Sequence, residues 1–234
     1  MKLPPLRPAT LLRRYQRFLA DIEWPDGSRT TVHTPNTGSM MQCAVPGSAV
    51  LVSDSGNAER KYPQTLELIQ VNGHWVDINT QRSNRVVAEA LQSGVIDGLS
   101  GFAVQPERKL GDSRIDFLLT KANSTEREDR LWLEVKNVTL MGSPVCACFP
   151  DAVTERGRRH LQELMAAVAQ GDRAAVLFLV QRAEAELFSP AGDIDPAYAD
   201  QLRAALEAGV EVFACQSVTS ADATRIARRL PVVV

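Results

Sequence analysis

The sequence lacks several features that would place it quickly. No purely apolar run exceeds Ala174 to Val180, far short of the roughly 20 residues of a membrane-spanning helix. The prolines of the first residues and the arginines at 13, 14 and 17 interrupt any signal-peptide apolar region, so the cytoplasm is the expected compartment. Cysteine is scarce, 4 in 234 residues, and no two stand as Cys-x-x-Cys. A disulfide framework or a zinc site is therefore not expected. Cys146 and Cys148, one residue apart, are expected on opposite faces of an extended segment. There is no phosphate-cradling glycine loop and no Gly-x-Ser-x-Gly elbow, which disfavours kinase, dinucleotide-dependent and serine-hydrolase chemistry. An excess of positive charge is also missing: Lys+Arg number 26 against 28 Asp+Glu, a net charge of −2. Any nucleic-acid contact must come from local basic patches. Glycine (14) and proline (13) are too few for a collagenous or low-complexity chain. With 44% hydrophobic and 23% charged residues, what remains is a chain able to bury a globular core.

The texture changes near residue 80, suggesting a domain at 1–80 and another at 81–234. The first part is dense in turn signals. Arg14 to Glu23 reads as a strand, Pro25-Asp26-Gly27 as a turn, Arg29 to Thr34 as the return strand, and Ser48 to Ser53 as a third after Pro46-Gly47. Thr65 to Val71 and Trp75 to Ile78 flank Asn72-Gly73, the preferred type I′ hairpin turn. Such a succession of short strands predicts a small Greek-key barrel of OB type. The second part alternates. A helix capped by Ser83 or Asn84 stops at Gly94. Strands follow at Phe102 to Arg108, Arg114 to Leu119 and Leu131 to Val138. Thr154 caps a long helix ending at Gly171, Ala174 to Val180 reads as a strand buried on both faces, and Asp195-Pro196 opens a helix ending at Gly209. Val210 to Ala214 is the expected last strand. The fold class is therefore α/β (α+β): an OB-like barrel, then a mixed sheet covered by helices.

The strongest chemical constellation is Asp116, Glu134 and Lys136. On a strand, residues two apart share a face, so Glu134 and Lys136 point one way and Leu133 and Val135 the other. Asp116 joins them if the two strands pair. Two carboxylates from adjacent strands form a hard oxygen site for Mg²⁺ or Mn²⁺, and a lysine beside them orients water or neutralises phosphate. Alone, Glu-x-Lys also fits a solvated strand face or a surface ion pair. Glu89, on the preceding helix, either completes a metal shell with Asp116 and Glu134 or pairs with Arg85. Gln181 and Arg182 end the buried strand, where they contact phosphate or mark its return to solvent. Arg156, Arg158 and Arg159 crowd a helix N-terminus whose dipole they oppose, a placement that wants an anionic partner. Arg13, Arg14 and Arg17 interleave with Tyr15 and Phe18, as in backbone contact with base stacking, or as in a strand with one charged face. Asn36 and Thr37 sit in a compact turn where Gly38 admits a positive φ. His74 and His160 look isolated, without a metal role.

Several segments together resemble the sugar fermentation stimulation protein A family, SfsA, over nearly the whole chain. They are Arg14-Tyr15-x-Arg17-Phe18-Leu19, Pro35-Asn36-Thr37-Gly38-Ser39-Met40, Pro46-Gly47, Asn79-Thr80, Ser113-Arg114-Ile115-Asp116-Phe117, Glu134-Val135-Lys136-Asn137-Val138, Phe149-Pro150-Asp151-Ala152-Val153-Thr154-Glu155-Arg156-Gly157 and Val180-Gln181-Arg182. One departure is Thr34, where relatives are expected to carry cysteine. The resemblance implies an N-terminal OB-like domain, a second domain of the PD-(D/E)xK nuclease type with Asp116, Glu134 and Lys136 as its triad and Glu89 as the helix carboxylate, DNA binding, and a link to sugar metabolism. The nucleic-acid contacts expected are Arg13, Arg14, Arg17, Asn36, Thr37, Arg114, Arg156, Arg158 and Gln181. Two functions compete: a Mg²⁺- or Mn²⁺-dependent nuclease acting on DNA, and a non-cleaving DNA-binding regulator of sugar (maltose) metabolism genes. A sugar-pathway enzyme or sensor is a third, weaker reading.

Overall fold

The computed structural model describes residues 1–121 and 124–234. The first domain is built from β1 (Leu6–Tyr15), β2 (Leu19–Glu23), β3 (Arg29–His33), β4 (Ala49–Asp54), β5 (Gln64–Val71) and β6 (His74–Asp77). β1 pairs with both β2 and β4, β4 with β5, and a parallel contact His33↔Thr65 joins β3 to β5. The strands thus close into the expected OB-type barrel, filled by Leu11, Ile22, Val32, Val52, Leu66 and Ile69. The β5–β6 hairpin turns on Asn72 (φ 50°) and Gly73 (φ 80°), the two positive φ values a type I′ turn requires.

One expected strand is in fact two. Arg14 to Glu23 is broken by a tight turn in which Gln16 and Arg17 take φ of 49° and 64°. No glycine, asparagine or proline marks it. The Arg14 guanidinium holds it, donating to the Arg17 carbonyl at 2.5 Å.

The second domain contains α1 (Thr80–Gln92), β7 (Phe102–Leu110), β8 (Ser113–Lys121), β9 (Arg130–Val138), β10 (Leu140–Met141), β11 (Cys146–Phe149), α2 (Glu155–Ala169), β12 (Arg173–Val180), β13 (Leu187–Pro190), α3 (Pro196–Glu207), β14 (Glu211–Thr219) and β15 (Thr224–Leu230). Its main sheet runs β15-β14-β12-β9-β8-β7, with the β9–β12–β14 centre parallel and both edges antiparallel. Beyond Arg173, β12 is apolar because both faces are covered. Val176 and Phe178 pack under α2 and α3, Leu177 and Leu179 under α1. Each such side chain contributes about 1.5–3 kcal/mol by leaving water.

The helix ends follow side-chain chemistry. Thr154 Oγ1 accepts from Gly157 N–H and Asp195 from Tyr198 N–H, as expected. α1 starts earlier than expected: Asn79, not Ser83 or Asn84, is its cap, because Asn79 follows directly on the barrel. Val210 to Ala214 extends as far as Thr219 and is followed by a further strand, β15. A three-stranded sheet β10-β11-β13 was also not foreseen, its strands being too short to show a period. Cys146 and Cys148 lie in β11 with their sulfurs 3.7 Å apart. They share a face, correcting the expectation, since residues two apart on a strand point the same way. No helix among the described residues is long and apolar enough to cross a membrane.

The domains are bolted together by a buried ion cluster. Arg82 of α1 reaches into the barrel, donating to Asp77 at 2.7 Å and to Glu67. All three residues are at most 5% exposed. Burial pushes the Asp77 carboxyl up to about 6 although the Arg82 charge opposes it. Arg82→Ala leaves two buried carboxylates without their cation, and is expected to cost about 3–5 kcal/mol. Without Arg82 the Asp77 carboxyl rises above its value of about 6, so the loss should be larger at pH 8 than at pH 5, where Asp77 takes up a proton. Urea melts at pH 5 and pH 8 check both the size and the sign.

Candidate active site

β9 lies at the centre of the sheet and carries Leu131, Leu133 and Val135 against α1. Its alternate residues therefore face α2, with Trp132 in the core on that side and Glu134 and Lys136 toward its C-terminal end. The ladder between β8 and β9 runs from Thr120↔Arg130 to Phe117↔Leu133. Beyond it, the Asp116 carboxylate takes over as acceptor. Its Oδ2 accepts from Val135 N–H at 2.7 Å and its Oδ1 from Asn84 Nδ2 at 2.7 Å. The sheet thus brings Asp116, Glu134 and Lys136 together in one cavity of about 420 Å³.

Glu134 is 4% exposed. Its Oε1 accepts from Lys136 Nζ at 2.6 Å and meets His160 Nδ1. Its Oε2 is buried without a hydrogen-bond partner. Burial alone would raise this carboxyl, but the His160 hydrogen bond and the Lys136 charge overcome it and hold it below its ordinary value. Asp116 goes the other way. Burial first, then the Glu134 charge, pushes it up to about 6, against the hydrogen bonds from Val135 and Asn84.

These features test the site for a cation. Among the described residues no group of three or more His, Cys, Asp or Glu side chains is arranged to hold a metal. Mg²⁺, however, is commonly held by one or two carboxylates with the remaining positions on water or substrate. An unpartnered buried carboxylate oxygen beside a carboxyl raised by burial and by its neighbour's charge is the donor set such an ion satisfies. The residues present fit Mg²⁺ or Mn²⁺.

The opposite wall comes from the other domain. Asn36, Thr37 and Gly38 line the cavity. They are held by Arg14, which donates to the carbonyls of Asn36 and Gly38 at 2.9 and 2.8 Å, and by Arg17, which donates to that of Thr37 at 3.0 Å. Asp151 pins the same loop, accepting from Ser39 Oγ at 2.8 Å and Met40 N–H at 3.1 Å. Gly38 does not have a positive φ. It is needed because a Cβ there would stand 3.0 Å from Asn36 Oδ1 and 3.1 Å from Asp151 Oδ2.

The other expected residues are scattered. Arg156 lines the cavity. Glu89 does not: it pairs with the Met1 ammonium at 2.7 Å, not with Arg85, and the α1 side chain that reaches Asp116 is Asn84. Arg13 pairs with Asp21, Arg114 with Glu107 and Arg158 with Asp195, none of them lining the cavity. Gln181 is buried, joining Asn137 to Ser217 beneath the site. Arg182 does not return to solvent; it is 2% exposed and bonds Glu184 and the Thr139 carbonyl. His160 is not isolated, being 4% exposed and against Glu134. Its signal was available: Gly157, His160, Leu161 and Leu164 form one buried stripe of α2, so a polar ring there must meet a partner on the sheet. Asn84 sits similarly, one turn before Val87.

Comparison with known proteins follows this geometry. Residues 81–223 match the family model described as the sugar fermentation stimulation protein RE domain, and residues 12–78 the SfsA N-terminal OB domain. A sugar fermentation stimulation protein homolog of Syntrophotalea carbinolica is 56% identical, with 99% of each chain covered. That of Pelobacter propionicus is 50% identical over the full length of both. The solved structure of Pyrococcus furiosus SfsA in complex with Ca²⁺ superposes with a TM-score of 0.89 at 26% identity, covering 100% of this chain and 98% of that one.

Because the Glu134 charge contributes to the raised Asp116 carboxyl, Glu134→Gln should lower the Asp116 titration midpoint. Burial remains, so it should stay above the usual 3.9 or so of a free aspartate. Carboxyl ¹³C titration of both proteins in EDTA checks the direction.

Proposed function

Since the chain belongs to the sugar fermentation stimulation protein (SfsA) family, we propose that its second domain is a Mg²⁺- or Mn²⁺-dependent nuclease that hydrolyses DNA phosphodiester bonds, with the barrel domain helping to hold the strand. The observation that carries this reading is the buried, unpartnered Oε2 of Glu134 beside Asp116 and Lys136. Asp172 and Glu184 also leave a buried carboxylate oxygen without a hydrogen bond while paired with arginines, but neither lines this cavity, where Glu134 faces a second carboxylate and a lysine. The Ca²⁺ complex of the P. furiosus relative supports a hard divalent ion as the partner.

Asp116 and Glu134 would hold the ion, which would supply Lewis-acid stabilisation of the phosphate and a more acidic water. Lys136 Nζ commits one proton to Glu134 and has others for the attacking water or a non-bridging phosphate oxygen. Arg156, exposed at the start of α2 and lining the cavity, provides a guanidinium for the neighbouring phosphate. Asn84 and the Val135 amide hold Asp116 in place. Thr37, on the opposite wall, bounds the space that a strand would occupy.

The decisive assay incubates wild type and Glu134→Ala with labelled single-stranded, duplex and branched DNA in Mg²⁺, Mn²⁺ or EDTA. Products are expected from wild type with metal only, falling to background in Glu134→Ala, and by about 10²–10⁴-fold in Lys136→Ala. Full activity in EDTA or in Glu134→Ala would refute the reading. Salt-sensitive binding without products in any metal would instead favour the non-cleaving regulator.

The pH profile has a sign. Asp116 must be ionised to hold a cation, and its carboxyl lies at about 6 in the free protein. At sub-saturating metal, cleavage should fall as pH drops through about 6, by up to about tenfold per unit, and recover with added metal.

A further inference from the structure

Resting on the hydrolase reading, we infer that His160 is a positioning residue that leaves a single oxygen of Glu134, Oε2, free for the cation, and that Arg156 fixes its orientation from the cleft. The geometry is a chain of four side chains. Arg156 Nε–H points at His160 Nε2 at 3.3 Å, His160 Nδ1 meets Glu134 Oε1, and Lys136 Nζ donates to the same Oε1 at 2.6 Å. Lys136 Nζ also lies 3.4 Å from Nδ1, but Glu134 Oε1 is much nearer to it; with the Arg156 Nε–H able only to donate to Nε2, the ring hydrogen is assigned to Nδ1, facing the carboxylate. Oε1 is then occupied from two sides, while Oε2 is buried with no partner.

Without His160 only the Lys136 ammonium, at the end of a flexible chain, would hold Oε1, and it can follow the carboxylate as it turns about its last bond. With His160, the direction of the free lone pairs is set before any ion arrives. Gly157 lets the start of α2 pack closely against its own cap and α3. A Cβ there would lie 2.8 Å from Thr154 Cγ2 and 3.0 Å from Tyr198 Cε2. The arrangement also joins the two ends of the site. Arg156 is placed both to meet phosphate and to orient the ring that orients the metal ligand.

The test is calorimetric titration of Mn²⁺ into the metal-stripped full chain, for wild type, His160→Leu and His160→Asn, with melting curves alongside. The asparagine amide can donate from nearly the position of Nδ1, whereas leucine cannot. His160→Leu should bind Mn²⁺ about 10- to 100-fold more weakly than wild type, with His160→Asn restoring most of the loss. Equal affinity in His160→Leu, or no rescue by His160→Asn, overturns the positioning role while leaving the hydrolase reading intact. No Mn²⁺ binding by wild type overturns both. A second measurement needs no variant: long-range ¹H–¹⁵N correlation of the His160 ring should place the hydrogen on Nδ1, and finding it on Nε2 would refute the chain of contacts directly.

Discussion

A carboxylate buried as deeply as Glu134 is the constraint around which the second domain is organised. Left alone, such a group would take up a proton rather than keep its charge in a low-dielectric interior. Here its neighbours hold it ionised. Lys136 comes from the same strand two residues on, and His160 from the helix packed over that face. β9 lies between β12 and the strand that carries Asp116, and α2 packs over the face that Glu134 and Lys136 share. Asp116 is treated differently, stabilised by two hydrogen bonds but raised by burial and by Glu134. Two carboxyls whose environments push them in opposite directions are the pattern expected where one site must keep one charge fixed and gain another.

Much of this was legible in the residues. Alternation within Leu131-Trp132-Leu133-Glu134-Val135-Lys136 assigns Glu134 and Lys136 to one face without any structure, and the apolar run at Ala174 to Val180 announces a central strand. The caps at Thr154 and Asp195 could be read because each hydroxyl or carboxylate stands just before a helical stripe. What could not be read depends on contacts between distant segments. The turn at Gln16–Phe18 has no turn residue because Arg14 supplies its stabilisation. Asn79 caps α1 because the barrel ends there. Glu89 looked suitable by residue type, but its position on the helix points it to the Met1 ammonium, while Asn84 lies over Asp116. His160 stands alone as a histidine in the sequence, and its role shows only when it is set in its helix, as the one polar member of a buried stripe.

The two domains do not act as separate bodies joined by a tether. Arg82 is buried in the barrel's ion cluster, and Asp151 holds the loop at Ser39 and Met40. Gln42 exchanges hydrogen bonds with both the carbonyl and the amide of Met141. The Asp151 and Gln42 contacts join groups 99 to 112 residues apart in sequence. They fix the Asn36–Gly38 wall relative to the carboxylates. Of the two arginines that from sequence alone looked available to a nucleic acid, Arg14 turns most of its guanidinium to building that wall, and Arg17 gives it one N–H. The barrel's contribution to the cleft is therefore a rigid surface as much as a charged one.

The near-balance of charge over the whole chain then has a local consequence. An approaching phosphate meets three carboxylates in the cleft, Asp116, Glu134 and Asp151, and among the described residues only Lys136 and Arg156 line the same cavity to offset them. Lys136 is already engaged by Glu134, and Arg156 by His160. With these acids ionised and no cation present, the pocket has little net attraction for an anionic backbone, and the net charge of −2 supplies no long-range pull to compensate. On the hydrolase reading, a bound divalent ion changes the sign of that balance. Metal and substrate should accordingly bind with positive coupling, each raising the affinity of the other by the same factor. The site would then discriminate at the binding step as well as in the chemistry, because a nucleic acid meets an attractive cleft only when the ion that completes it is already in place.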